Sequence, residues 1–181
     1  AGWATLYNDG TNSYAMRLNS NGTNDDANKN TFFGNGSSHT APTSSLFTVG
    51  HSDEVNFAHN YLAFCYHSVA GYSKIGKYTG KAGVAEHEVN LGFAPAFVLI
   101  KRTDVSSNWG LFDYKRDSGT GERRVDHRLE SNTDDLEEDV SGVSNGEFVR
   151  FTDTGLKFPT YITNADTNAN NGNYIYMAFA R

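Results

Sequence analysis

Cysteine, proline and methionine are nearly missing: 181 residues hold one Cys, three Pro and two Met. Cys65 alone cannot close an intrachain disulfide, and no ligand spacing surrounds it, so neither a covalent staple nor a thiolate metal centre is expected. In its setting, "YLAFCYH", it reads as a small buried residue on a strand. Positive charge is in the minority, 15 Lys and Arg against 21 Asp and Glu, for a net charge of −6. A surface of that sign repels phosphate backbones, which sets nucleic acid aside as a partner. No apolar run approaches the ~20 residues of a helical span, so no membrane insertion is expected. No basic-then-apolar leader opens the chain. It starts Ala1-Gly2-Trp3 without Met, as a processed, truncated or fragmentary chain would.

Aromatics, at 13%, and Gly, with 18 residues, are plentiful, separated by Asn, Ser, Thr and Asp. Asn, Asp and Gly tolerate the left-handed backbone of tight turns, so the mixture predicts short strands joined by turns and does not suit helices. Strands are expected over 3–9, 14–20, 45–50, 61–68, 73–80, 86–92, 96–103, 109–115, 125–131, 147–153, 156–162 and 174–180. Several alternate apolar and polar residues, as half-buried strands do. "AFVLI" (96–100) is continuous and reads as a central strand covered on both faces. The best helix candidate is the acidic "NTDDLEEDVSG" (132–142), with Asp134 and Asp135 where a helix start prefers negative charge. A solvated loop explains it as well.

Three anchors recur in one order. Trp3 in "WATLYND" returns as Trp109 in "WGLFDYK", 106 residues on. Arg17 in "MRLNSNGTNDD" returns as Arg128 in "HRLESNTDDLEED", 111 residues on. Tyr61 in "NYLAFCYHS" returns as Tyr176 in "NYIYMAFAR", 115 residues on. The drift is what loop insertions cause. Residues 69–108 have no counterpart before Trp3, so the chain reads as the back part of one unit (1–68) followed by a whole unit (69–181). A whole unit of about 110 residues suits a seven- or eight-stranded sandwich. The first part holds only half a sandwich, whose open edges need covering by the second unit, another subunit or further residues.

"YLAFCYHSVAGYSKIGKYTG", "FAPAFVLIKRT", "NWGLFDYKR" and "NNGNYIYMAFA", in that order, resemble the tandem β-sandwich repeat of bacteriophage tail-fibre and other virion structural proteins. "TAPTSSLFTVG" (40–50) resembles the late segment of the preceding repeat, while residues 1–39 match more loosely. The molecular function of such repeats is uncharacterised, so no catalytic or binding residue carries over. The loop after "KYTG" is shorter than the resemblance implies, and "RDSGTGERRVDHRLES" is more charged. Both are places for specificity in this member.

The remaining constellations carry little chemistry. None of the six His forms a ligand pair on one strand; His51 and His59 beside Asp53 and Glu54 read as solvated loop residues. The acids of 134–139 with Asp25 and Asp26 lack EF-type spacing and read as solvated. They also lack a device to raise one pKa for sugar hydrolysis. Trp109 with Asp113 and Arg116 has the ingredients of a carbohydrate platform, an aromatic face plus planar hydrogen-bonding groups, and Trp3 with Asn8 and Asp9 repeats it weakly. The competing expectation is that both Trp pack in a core. "RDSGTGERR" (116–124) lacks the strand-to-helix context of a phosphate loop and reads as a hairpin tip or subunit contact. There is no nucleophile elbow. No enzyme, cofactor or metal is expected.

The expectation is therefore an all-β chain: an antiparallel β-sandwich, jelly-roll or lectin-like, with a partial N-terminal copy of the same unit packed against a complete one. The resemblance implies a structural domain of a tail fibre or other virion appendage. Such a domain serves assembly and host-surface attachment, with other virion subunits, a homo-oligomer such as a trimer, and a host glycan as partners. The alternatives are a carbohydrate-binding lectin-like module, a glycan-degrading enzyme, and a capsid decoration or filament-forming subunit.

Overall fold

The computed structural model describes residues 2–116 and 123–181, which divide into two compact units, Ala1–Cys65 and Tyr66–Arg181. The chain is all-β, and every strand pair is antiparallel.

The first unit is small. Strands β1 (Ala4–Asn8) and β2 (Ser13–Arg17) form a hairpin running from Ala4 opposite Arg17 to Asn8 opposite Ser13. Its turn is built by side chains. Asp9 Oδ1 accepts the N–H groups of Thr11 and Asn12, and Gly10 takes the left-handed φ of 88° that its Asp-Gly step favours. A short helix, α1 (Asp26–Phe32), follows, capped by Asp25, whose carboxylate accepts the Asn28 N–H. Phe32 and Phe33 bury against Ala15 of β2, with Ala4, Leu6 and Val55 partly covering them. The sequence hid this helix in "DDANKNTFF", where Asn-rich composition reads as loop; burial of Phe32 overrides the weak propensity. The strands expected at 45–50 and 61–68 do not form. In 45–50 the backbone bonds go elsewhere, the Leu46 carbonyl accepting from Thr43 N–H and Gly50 N–H donating to the Phe32 carbonyl, and 61–68 joins no ladder; alternation alone cannot satisfy a strand's backbone.

The second unit holds two sheets. One has four strands in the order β4 (His87–Asn90), β11 (Gly155–Phe158), β10 (Val149–Phe151), β7 (Arg123–Val125). The other has six, β3 (Ser73–Thr79), β12 (Asn173–Ala180), β5 (Pro95–Arg102), β6 (Trp109–Asp113), β8 (His127–Glu130), β9 (Glu138–Asp139). Inward residues of both sheets share one core: Val98, Ile100, Phe112, Tyr176 and Ala178 from the six-stranded sheet meet Val89, Val125, Val149, Phe151, Leu156 and Phe158 from the other. At one end the polar string 164–169 is drawn inside. Tyr78 and Tyr174 donate to the carbonyls of Thr167 and Ala165, and Asn168 bonds Lys81 N–H and Ile162 C=O. The helix weighed for 132–142 is absent. Leu136 has no apolar face to join and is 93% exposed, while Glu138 and Asp139 are taken into β9 opposite Arg128 and His127.

Candidate functional site

The residues expected to make a sugar platform are placed otherwise. Trp109 is 3% exposed, held on the outer side of the six-stranded sheet with its backbone N–H donating to Asn132 Oδ1 at 2.8 Å. It presents no face to a ligand, because it packs as part of the unit rather than beside it. Asp113 accepts from the Arg116 guanidinium and from the backbone N–H groups of Lys115 and Arg116. Burial would raise its carboxyl, but those donors outweigh burial and hold it below the usual range. Arg116 also binds Glu137 at 2.7 Å and the Leu111 carbonyl. Asp113 and Arg116 therefore close the end of β6; of the stretch 116–124 expected as a hairpin tip or subunit contact, residues 117–122 lie outside the described residues.

The acidic stretch is tied up in the same way. Arg128 sits among Asp166 (2.6 Å), Glu138 (2.5 Å) and Glu130 (2.9 Å), under the ring of Phe148. It floors an open depression lined by Asn108, Asp135 and Leu136 as well. A second cluster joins Glu147, whose side chain is fully buried, to Arg150 and to the hydroxyl of Tyr161, itself bonded to Arg150. These are arginine-centred staples that tighten the unit as disulfides do elsewhere. Among the described residues no group of three or more His, Cys, Asp or Glu is placed to hold a metal ion.

The two sheets differ on their outer faces. Across the four-stranded sheet run Glu88, Lys157, Arg150 and Arg124, side by side in register. Across the six-stranded sheet run Ile75, Met177, Leu99, Leu111 and Leu129, alternating with core residues and so turned outward. Beside that row Lys101 is buried, and loss of water lowers its amine to about 8.

The first unit leaves its apolar side chains uncovered. Trp3 is 55% exposed and stacks on Phe64, which is 60% exposed; Leu62 reaches 72%, and Leu46, Phe47 and Phe57 are exposed too. Among the described residues the backbone of 60–66 has no hydrogen-bond partner. Sequence reasoning placed these residues on paired strands and so missed the surface. The clue lay in the unit's shortage of strands, four expected where a sandwich needs seven or eight.

The first unit's hairpin repeats a bond of the second. The backbone N–H of Trp3 donates to Asn19 Oδ1 at 2.8 Å, as that of Trp109 does to Asn132. Leu18 N–H donates to the Trp3 carbonyl, as Ser131 N–H does to that of Trp109. Arg17 and Arg128, matched by sequence, are not at matching places: Ala4 pairs with Arg17, but Gly110 pairs with Glu130.

Comparison with curated proteins finds no match, and comparison with solved structures finds none. The family model described as a domain of unknown function, DUF7483, matches residues 3–181. The chain belongs to the DUF7483 family.

Proposed function

We propose that this chain is a structural repeat domain of a virion appendage such as a bacteriophage tail fibre, working in assembly with further copies of itself and presenting polar loops to a host surface. The observation that carries this reading is the uncovered first unit. Large apolar side chains gathered on 65 residues, with a backbone stretch left unpaired, are the mark of a surface made for protein contact. Two observations support it further. The Trp-to-Asn bond occurs both at the β1–β2 pair and at the β6–β8 pair, as repeated units would have it. Ionic staples within the second unit give stiffness without disulfides, which suits a rod built of tandem sandwiches. Burial of Trp109 leaves the lectin-like alternative Trp3 as its exposed tryptophan, beside exposed tyrosines such as Tyr72.

The test is the mass of the chain in solution by analytical ultracentrifugation, together with a search for it in purified particles by mass spectrometry. A trimer or larger assembly is expected. A monomer at tens of micromolar that binds a glycan array through Trp3 would overturn the structural reading in favour of the lectin-like one.

A further inference from the structure

Three cations gather around one ring at the end of the second unit where β6 and β12 stop. The Tyr114 ring, just beyond β6, packs on the core. The Lys115 ammonium lies 5.0 Å from its centre, the Arg123 guanidinium 5.2 Å and the Arg181 guanidinium 5.9 Å. Backbone bonds fix the meeting place. Tyr114 N–H donates to the Ala96 carbonyl, and Arg181 N–H donates to that of Ala94. Arg123 begins β7, at the edge of the four-stranded sheet. Separate stretches of chain thus bring like charges together, on a chain whose net charge is −6. Such a grouping costs free energy unless negative charge meets it.

The chain's own acids meet it poorly. Among the described residues no carboxylate pairs with Lys115 or Arg123. Arg181 pairs with Asp153 at 3.3 Å, but that carboxylate stands fully in water. Arg116, next to Lys115, is already taken up by Asp113 and Glu137. The Tyr114 ring attracts the cations, yet a cation–π contact uses none of their N–H donors. Arg123 Nη1 is closed off from water and has no acceptor among the described residues. A donor left in that state is costly and calls for an acceptor from elsewhere.

We propose that the Tyr114 cluster binds the carboxylate of an acidic sugar in a surface polysaccharide. The inference rests on the surface-attachment part of the proposed function and names the glycan chemistry. Guanidinium forks match a planar carboxylate bidentately, and those of Arg123 and Arg181 converge on the same ring. Tyr114 gives the sugar an apolar wall beside them. Charge selects the carrier. A densely charged polymer such as a nucleic acid carries its neighbouring charges past the cluster onto an acidic surface, which repels them. A polysaccharide with widely spaced carboxylates delivers one charge to the cluster and keeps the rest at a distance.

The probe is a hyaluronate oligosaccharide, whose carboxylates are separated by neutral sugars, titrated calorimetrically against the unmodified chain and single variants. Neutral dextran is the blank and poly-glutamate the rival. Arg123→Gln and Arg181→Gln are each expected to weaken hyaluronate binding about tenfold, as loss of a charge-assisted hydrogen bond does. Arg123→Lys should recover part of that loss. Lys81→Gln makes the same charge change beside Asn168, far from the cluster, and should leave binding unchanged. No hyaluronate binding, dextran binding as tightly, or an equal loss from Lys81→Gln overturns the proposal. Poly-glutamate binding as tightly through Arg123 and Arg181 overturns the sugar assignment and gives the site to an acidic protein. Should a variant unfold, NMR on the unmodified chain decides. The Nε–H signals of Arg123 and Arg181 are expected to move on titration; no movement, or movement confined to other arginines, overturns the proposal. Ultracentrifugation tests assembly independently. A trimer that ignores hyaluronate sinks this inference and leaves the assembly reading standing. A monomer that binds it through Arg123 does the reverse.

Discussion

Residues 61–65 and 176–180 spell almost the same string, yet Ala178 is fully buried in the middle of a six-stranded sheet while Leu62 and Phe64 stand largely in water. Alternation of bulky and small residues states which side of a strand faces inward. It says nothing about whether two neighbouring strands exist to receive it, because that depends on residues far away in sequence. Here β3 and β5 supply the neighbours for one string, and the described residues of 1–65 supply none for the other.

The largest predicted effect is one substitution made at both members of the pair. Ala178→Asp puts a carboxylate where no water reaches, and is expected to cost more than about 4 kcal/mol, enough to unfold the second unit. Ala63→Asp in the same isolated chain is expected to change stability by less than about 0.5 kcal/mol. Urea unfolding followed by the fluorescence of buried Trp109 measures both. A large loss from Ala63→Asp would mean that the segment is already paired in the isolated chain.

The second prediction concerns what holds the sandwich where the first unit has little. Arg17 and Glu54 form an ion pair in the first unit, 2.6 Å apart and each about 30% exposed. Arg128 serves three carboxylates and is mostly buried. Arg128→Met leaves Glu130, Glu138 and Asp166 without their cation and is expected to cost about 3 kcal/mol. Arg17→Met, with water at hand, should cost under about 1 kcal/mol. Denaturant midpoints for the two variants should differ accordingly.

The third follows from Lys101. Its amine is held at about 8 in the folded chain against the ordinary 10.5 of a solvated lysine, because burial disfavours the charge. Between those values the unfolded chain binds more protons than the folded one, so stability should rise as pH goes from about 8 to about 10. Above about 10 it should fall. Burial raises the hydroxyl of Tyr174 to about 12 and that of Tyr78 upward as well, so the unfolded chain loses those protons first. Lys101→Met should remove the rise and stabilise the second unit at pH 7 by about 2 kcal/mol. Midpoints measured at pH 7, 8, 9 and 10 check this; a flat profile in the unmodified chain would place the amine in contact with water.

Much of the second unit was legible because its strands lie between clear turns and find their partners within the same stretch of chain. The expectations at 73–80, 96–103 and 174–180 fall on β3, β5 and β12. The burial of Thr167 and Asn168 was not legible. The Asn and Thr residues around them look like solvated turn chemistry, and it takes partners far away in sequence, the Tyr78 hydroxyl and the Phe148 carbonyl for Thr167 and the Lys81 N–H for Asn168, to hold them inside. The platform at Trp109 failed for a related reason: the sequence shows which side chains stand on a strand, and the burial of an outward-facing Trp is decided by the segments that fold over it.

The smallest predicted difference sets the two Trp-to-Asn bonds against each other. Both Trp backbone N–H groups donate to an Asn side chain at 2.8 Å, but the bond at Trp109 is partly buried and the one at Trp3 is exposed. Asn132→Ala strands a buried donor and also removes the bond from Asn132 to Asn108, so it should cost about 1–2 kcal/mol. Asn19→Ala lets water take the acceptor's place at Trp3, and its cost should stay below about 0.5 kcal/mol. Amide exchange at Trp3 and Trp109 reads the two losses separately. Equal costs in the isolated chain would show that the first hairpin is already shielded there, and the contrast between the two units would then belong to their strand count and not to their exposure.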